Sequence, residues 1–307
     1  MIRHAAAALG AAVLFVHATT AHAGCGGTNC FLVTGTQEGM APAGAITVDL
    51  SYRYVLMDQP QTGDDRVAEA LTPAIHFDDG DIESDAHREI RTDNELLQID
   101  VAFGVSDRTA VAIAFPLVNN RLHEHVDLAG GEFSAQTYSG FGDIRVTARR
   151  VFVTSLRHLF VGGLGIKTPT GAYELRNALE GDINEPGVQP GTGSWDPIVS
   201  AYYAYQIRPR ALDWFVAGSW QYATENNLDY RFGDTRILNT GVNYFFERAG
   251  RGVTLSAQLN ARNAPRDEFI GRDVPSTGGT WIYLTPGARV QANDRTSLIM
   301  HVQLPVY

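Results

Sequence analysis

Past residue 23 the chain has no apolar run approaching the roughly 18 residues that a membrane-crossing helix needs, so no helix of this protein can span a bilayer. Lysine is almost missing: Lys167 is the only one, and 34 acidic residues face 24 basic ones, for a net charge of −10. An acidic excess of that size argues against a nucleic-acid partner. Cysteine is confined to Cys25 and Cys30. A glycine-rich phosphate loop, a paired Cys-x-x-Cys motif and a haem signature are all absent, which removes the usual routes to nucleotide, thiol-redox and haem chemistry.

What is present begins with an export signal. Arg3 and His4 give a short basic start, Ala5 to Val16 are apolar, and Ala21-His22-Ala23 is a small-x-small cleavage site. A lipoprotein signal ending at Cys25 is the competing reading, but His22 stands where an aliphatic residue is expected. Residues 1–23 therefore read as a signal peptide and 24–45 as a cysteine-containing segment. An exported chain enters an oxidising compartment, so Cys25 and Cys30 read as a small structural disulfide.

From residue 46 onward, period-two alternation recurs in stretches of about ten residues. Ile46, Val48, Leu50, Tyr52 and Tyr54 oppose Thr47, Asp49, Ser51 and Arg53. Val253, Leu255, Ala257 and Leu259 oppose Thr254, Ser256, Gln258 and Asn260. Similar patterns lie near 97–103, 111–117, 144–148, 157–167, 199–205, 214–222, 239–246, 282–290 and 298–306, making eleven candidate strands.

Alternation alone does not say which face is inside, because a soluble sandwich buries its apolar face and a membrane barrel turns it to lipid. The connections separate the two. Short turns are centred on Asp107, Ser155, Pro209-Arg210, Ala249 and Asp294, and between them lie long polar segments near 58–93, 118–139, 168–195, 223–235 and 263–279. Short and long connections alternate strictly, as in an up-and-down barrel with tight periplasmic turns and long outer loops. Aromatic residues near strand ends, such as Tyr52, Tyr54, Trp214, Trp220, Tyr222, Tyr244 and Phe246, suit a membrane–water interface.

Eleven strands is an odd count, whereas single-chain bacterial barrels have even numbers. Tyr307 is also out of phase with Val302, Leu304 and Val306. The reading is an all-β, antiparallel transmembrane β-barrel of about twelve strands over residues 46–307, with the last strand missing. The rival explanation is a strand hidden in 31–45 or in a long loop.

Several segments resemble the outer-membrane family named for the MetA pathway of phenol degradation. The likeness rests on Phe141-Gly142-Asp143-Ile144, on Gly163-Leu164-Gly165-Ile166-Lys167-Thr168-Pro169-Thr170-Gly171, and on Gln189-Pro190-Gly191-Thr192-Gly193-Ser194-Trp195-Asp196. The cysteine-bearing start followed by Tyr52-Arg53-Tyr54 and Met57-Asp58 is similar too. The resemblance implies an outer-membrane transporter barrel, with some members linked to aromatic degradation. It carries no substrate onto this chain, since no residue here selects a phenol.

The polar faces hold Asp49, Arg53, Asp100, Asp143, Arg145, Arg149, Lys167, Arg262 and Arg289. Unpaired ions in a dry core cost several kcal/mol each, by an order-of-magnitude estimate, so these residues are expected to line a barrel lumen. There they either set the preference of a narrow aqueous path or form an internal ion-pair network that closes it. The acidic first loop, with Asp79, Asp81 and Glu83, lacks the glycine that a helix–loop–helix calcium site requires. His123 and His125 share a strand face, but no third ligand is evident, so no metal site is assigned. No local serine–histidine motif suggests a barrel phospholipase, and the reading assigns no catalytic residue and no cofactor. The implied partners are outer-membrane lipid and a small, hydrophobic or aromatic solute. The expected function is passive transport across the outer membrane, against a closed structural or interaction barrel whose loops bind a partner.

Overall fold

The computed structural model describes residues 41–59, 61–62, 65–177 and 181–306. The signal peptide, the Cys25–Cys30 pair and Tyr307 lie outside them.

Eleven strands form one antiparallel path, each hydrogen-bonded to the next in chain order. They are β1 (Ile46–Met57), β2 (Asp81–Ser106), β3 (Thr109–Asp127), β4 (Arg145–Thr154), β5 (His158–Lys167), β6 (Asp196–Arg208), β7 (Leu212–Gln221), β8 (Thr235–Arg248), β9 (Arg251–Ala264), β10 (Gly279–Asn293) and β11 (Thr296–His301). No α-helix occurs among the described residues. All eleven strands expected from the alternation are present, and each of the five short turns joins the pair assigned to it. The β8–β9 turn shows why: Ala249 and Gly250 both have positive φ, 54° and 71°. That two-residue geometry matches the right-handed twist of the flanking strands.

The sheet is inside-out relative to a soluble protein. Ile46, Val48, Leu50, Tyr52 and Tyr54 of β1, Leu255 and Leu259 of β9, and Leu298 and Met300 of β11 are exposed. Asn94 and Gln98 of β2, Lys167 of β5, Asp196 of β6, and Gln258 and Asn260 of β9 are buried. Adjacent residues go opposite ways: Leu259 is 50% exposed, while Gln258 and Asn260 are 1% and 0%. No second sheet covers the apolar face among the described residues, since the other two sheets have three and two strands. The sheet therefore curls with a polar lumen inside and an apolar exterior facing hydrocarbon, as in membrane barrels. β1 and β11 are not paired with one another among the described residues.

Two sequence expectations need correction. Residues near 58–93 and 118–139 read as loops, yet β2 has 26 residues and β3 has 19. A tilted strand crosses the apolar band with about 9–11 residues. The remainder stands beyond the bilayer as a ribbon, flanked by strands Leu71–His76 and Phe133–Gly140. Outside lipid both faces of a strand are polar, so this part gives no hydrophobic alternation to read.

The ribbon builds a cap. Ile75, Tyr230, Phe269 and Val274 form a small buried cluster, with Phe77, Ile82 and Phe232 packed against it. Ser276 Oγ donates to the Leu71 carbonyl at 2.9 Å, and the Arg272 guanidinium donates to the Gly80 carbonyl and lies 3.8 Å from Asp81. Loops from the first and last parts of the sheet thus meet at the outer end.

Candidate functional site

Two regions concentrate polar and titratable groups: the lumen, and a cavity beneath the cap. In the lumen, the loop between β5 and β6 folds inward and is pinned at its base. Asp143 accepts from the Gly171 and Thr192 backbone amides, both at 2.9 Å. Lys167, fully buried, has its Nζ 3.0 Å from Asp143 and 3.0 Å from Asp196, and donates also to the Thr192 hydroxyl and the Ser194 carbonyl. Two carboxylates and several neutral acceptors thus surround one ammonium, which offsets the cost of burying it.

The two loop strands cross where side chains are missing. A Cβ on Gly191 would lie 2.5 Å from the carbonyl carbon of Gly171, and one on Gly171 would lie 2.7 Å from the Gly191 Cα. The glycines at 162, 163 and 165 serve the wall itself. A Cβ on Gly162 would meet the Phe152 ring, one on Gly163 the Ser200 hydroxyl, and one on Gly165 the Val146 carbonyl.

Beyond the crossing, the loop is ordered by Gln189, which is fully buried and bonds the Leu175 amide and carbonyl. It is held to the ribbon by Asn119 donating to the Pro190 carbonyl at 2.7 Å and Tyr138 donating to Asn184 at 2.9 Å.

The nine polar-face residues separate into groups. Arg53, Asp143 and Arg145 border a small cavity of about 40 Å³, together with Gln98, Asn119 and Thr192. Lys167 is joined to this group through Asp143. Asp49 and Asp100 face each other across β1 and β2, and Asp100 accepts from Gln98 at 2.7 Å. Arg149 sits on β4, on the same face as Arg145 with Thr147 between them, opposite Gly163 of β5. Arg262 of β9 is buried, its guanidinium 4.8 Å over the Trp281 ring. Arg289 stands apart at the turn end of β10, exposed, donating to Ser297. Uncharged residues share the buried faces: Gln98, Asn239 and Asn260 fall on the polar side of the sequence alternation without having been singled out as lumen candidates, whereas Asn94 and Asn119 were missed. Their spacing in phase with the charged residues was the available signal.

The second region is a cavity of about 220 Å³ whose lining includes Met57, Ile75, Ile90, Val188, Tyr230 and Val274, with Glu89, His123, Glu185 and Asp267 among them. It lies beyond the interface aromatics, whose hydroxyls bond the first outer carboxylates: Tyr52 to Glu95 at 2.8 Å and Tyr54 to Asp93 at 3.1 Å. Its floor is the inner face of the β2–β3 ribbon, where Thr92 opposes His123 and Glu89 opposes His125. The register shifts between Glu89 and Arg91, leaving Ile90 as the extra residue. Such a bulge reverses the face of everything beyond it. Because of it Glu89 and His87 join Thr92 and Asn94 on the inner side. His123 Nδ1 lies 3.5 Å from Glu89, and His87 Nε2 lies 2.7 Å from Glu185. Burial pushes the Glu89 carboxyl up to about 7 and raises Glu185 well above its ordinary value, with Glu89 adding to the latter. Burial lowers His123 to about 3 and His87 to about 4. The sequence offered His123 and His125 without a third ligand; the fold supplies two carboxylates beside His123.

A family model described as "Putative MetA-pathway of phenol degradation" matches residues 65–305. The chain belongs to this family. Among solved structures, the barrel of this family member resembles an outer membrane channel from Pseudomonas putida F1. The TM-score is 0.56 at 13% identity, and the match covers 90% of this chain and 92% of that one. At that identity the likeness is one of fold. No curated protein matches the chain. The antiparallel barrel fold and its lipid-facing exterior place this member of the MetA-pathway family in the outer membrane.

Proposed function

We propose that the protein is a passive outer-membrane channel for small molecules with an apolar body and a polar end. The observation that carries this reading is the inverted distribution of polarity: hydrated-type residues face a lumen, and a mixed apolar and acidic cavity sits above it at the outer mouth. A solute entering from outside meets Met57, Ile90, Tyr230 and Val274 in that cavity. It then meets the guanidinium groups of Arg53 and Arg145 beside the loop that narrows the lumen. Fixed cations in a narrow, low-dielectric path select by charge. The family match and the channel fold support the same reading. The alternative, a closed barrel acting only through its loops, has no observation in its favour that the channel lacks.

Reconstitution in planar bilayers tests the proposal. Stepwise conductance is expected, with reduced anion preference in Arg145→Gln. Silence of the folded wild-type protein, across voltages and salts, would overturn it.

A further inference from the structure

We propose that Glu89, His123 and Glu185 form a binding site for one divalent transition-metal ion, of the zinc class, in the wall of the outer cavity. One ligand atom from each of the three lies within 4.8 Å of the others, close enough for a single ion to bridge them. The donors are one imidazole and two carboxylates, a set that suits zinc and its first-row neighbours and not thiophilic ions.

A second observation is independent of the carboxylates. His123 is 3% exposed, and its Nε2 is buried without a hydrogen-bond partner. A buried imidazole nitrogen left unsatisfied is destabilising unless it has a ligand to bind. Its other nitrogen lies 3.0 Å from the Thr92 hydroxyl, the kind of contact that fixes the ring of a metal-bound histidine. His87, 2.7 Å from Glu185, is placed to orient that carboxylate. All three ligands line the 220 Å³ cavity, so a bound ion would keep a coordination position open to a solute oxygen. The inference does not rest on the transport reading, since a closed barrel would carry the same site.

Untagged protein, folded in detergent and stripped with a chelator, should take up one zinc per chain after dialysis, measured by elemental analysis. His123→Ala and Glu185→Gln should each lower retained zinc at least tenfold, while His158→Ala, at a periplasmic turn, should retain it fully. Folding of each variant is checked by the heat-dependent electrophoretic shift of intact barrels. If the variants do not fold, cobalt(II) titration of the wild-type chain decides: a visible ligand-field band displaced by zinc supports the site. Zinc content near zero in the folded wild type, or equal retention in His123→Ala, would overturn the proposal.

Discussion

Lys167 of β5 and Asp196 of β6 occupy directly opposite register positions, with Nζ 3.0 Å from the carboxylate, and each is almost fully buried. The pair, with Asp143, clamps the inward loop to the barrel wall. Removing one partner of a buried ion pair leaves an uncompensated charge, at a cost of about 3–5 kcal/mol. Lys167→Met should therefore lower the urea midpoint markedly and free the loop, with larger conductance steps in bilayers. An unchanged midpoint and unchanged conductance would show that the clamp holds nothing.

The crossing of Gly171 and Gly191 gives a second test of the same loop. A methyl on Gly191 would overlap backbone of the opposite strand, which cannot move as a side-chain tip can. Overpacking of this type costs about 1–3 kcal/mol, and here the least costly relief is to expel the loop. Gly191→Ala should make the Arg176–Asn177 bond more susceptible to trypsin in intact cells. Gly187→Ala, in the same loop and in open space, should leave the crossing intact. Equal cleavage rates in both variants would count against a packed crossing.

Much of this fold was legible in the sequence, because lipid imposes a strict period of two. Val253, Leu255 and Leu259 announce their face without any tertiary information. The ribbon was not legible: residues such as Asp85, Arg88 and Glu124 give no hydrophobic alternation, since even its buried inner face is built of polar residues such as Asn94, Arg121 and His123. The cavity site was hidden for two further reasons. The bulge at Ile90 switches Glu89 onto the face of His123, and no local rule reveals a bulge within a polar stretch. Glu185 arrives from a loop whose path depends on Gly171, Gly191 and Gln189. Charged lumen candidates were easier, because an arginine on a strand face is conspicuous where an asparagine is not.

Asp267 supplies a pH test of the cap. It accepts from the Tyr230 hydroxyl and the Gly233 amide, both at 2.7 Å. Burial raises its carboxyl above the ordinary 3.8. The folded cap then holds this proton more tightly than the opened one, so its stability falls as pH rises from the ordinary value through the raised one. Hydrogen exchange of residues 267–277, corrected for intrinsic rates, should show easier opening at neutral than at mildly acidic pH. Glu89 and Glu185 are raised too and share the cavity, so the decisive comparison is with Asp267→Asn, which should reduce the slope. Identical slopes would assign the effect elsewhere.

The orientation of the whole sheet can be put to one substitution. Leu259 of β9 stands opposite Thr240 of β8 and Leu284 of β10, half exposed between the buried Gln258 and Asn260. If its exposed half faced water, Leu259→Arg would be neutral within about 0.5 kcal/mol, as surface changes usually are. Facing hydrocarbon near mid-strand, the guanidinium should cost about 2–4 kcal/mol, falling toward zero near the interface. Reversible urea unfolding from lipid vesicles should therefore rank Leu259→Arg well below wild type and Tyr54→Arg, at the outer rim, close to it. Gln258→Leu should also destabilise, by replacing a buried amide of the lumen with a group that cannot hydrogen-bond. A protein with its apolar face in water would instead leave Leu259→Arg near wild type and Gln258→Leu the more destabilised of the two.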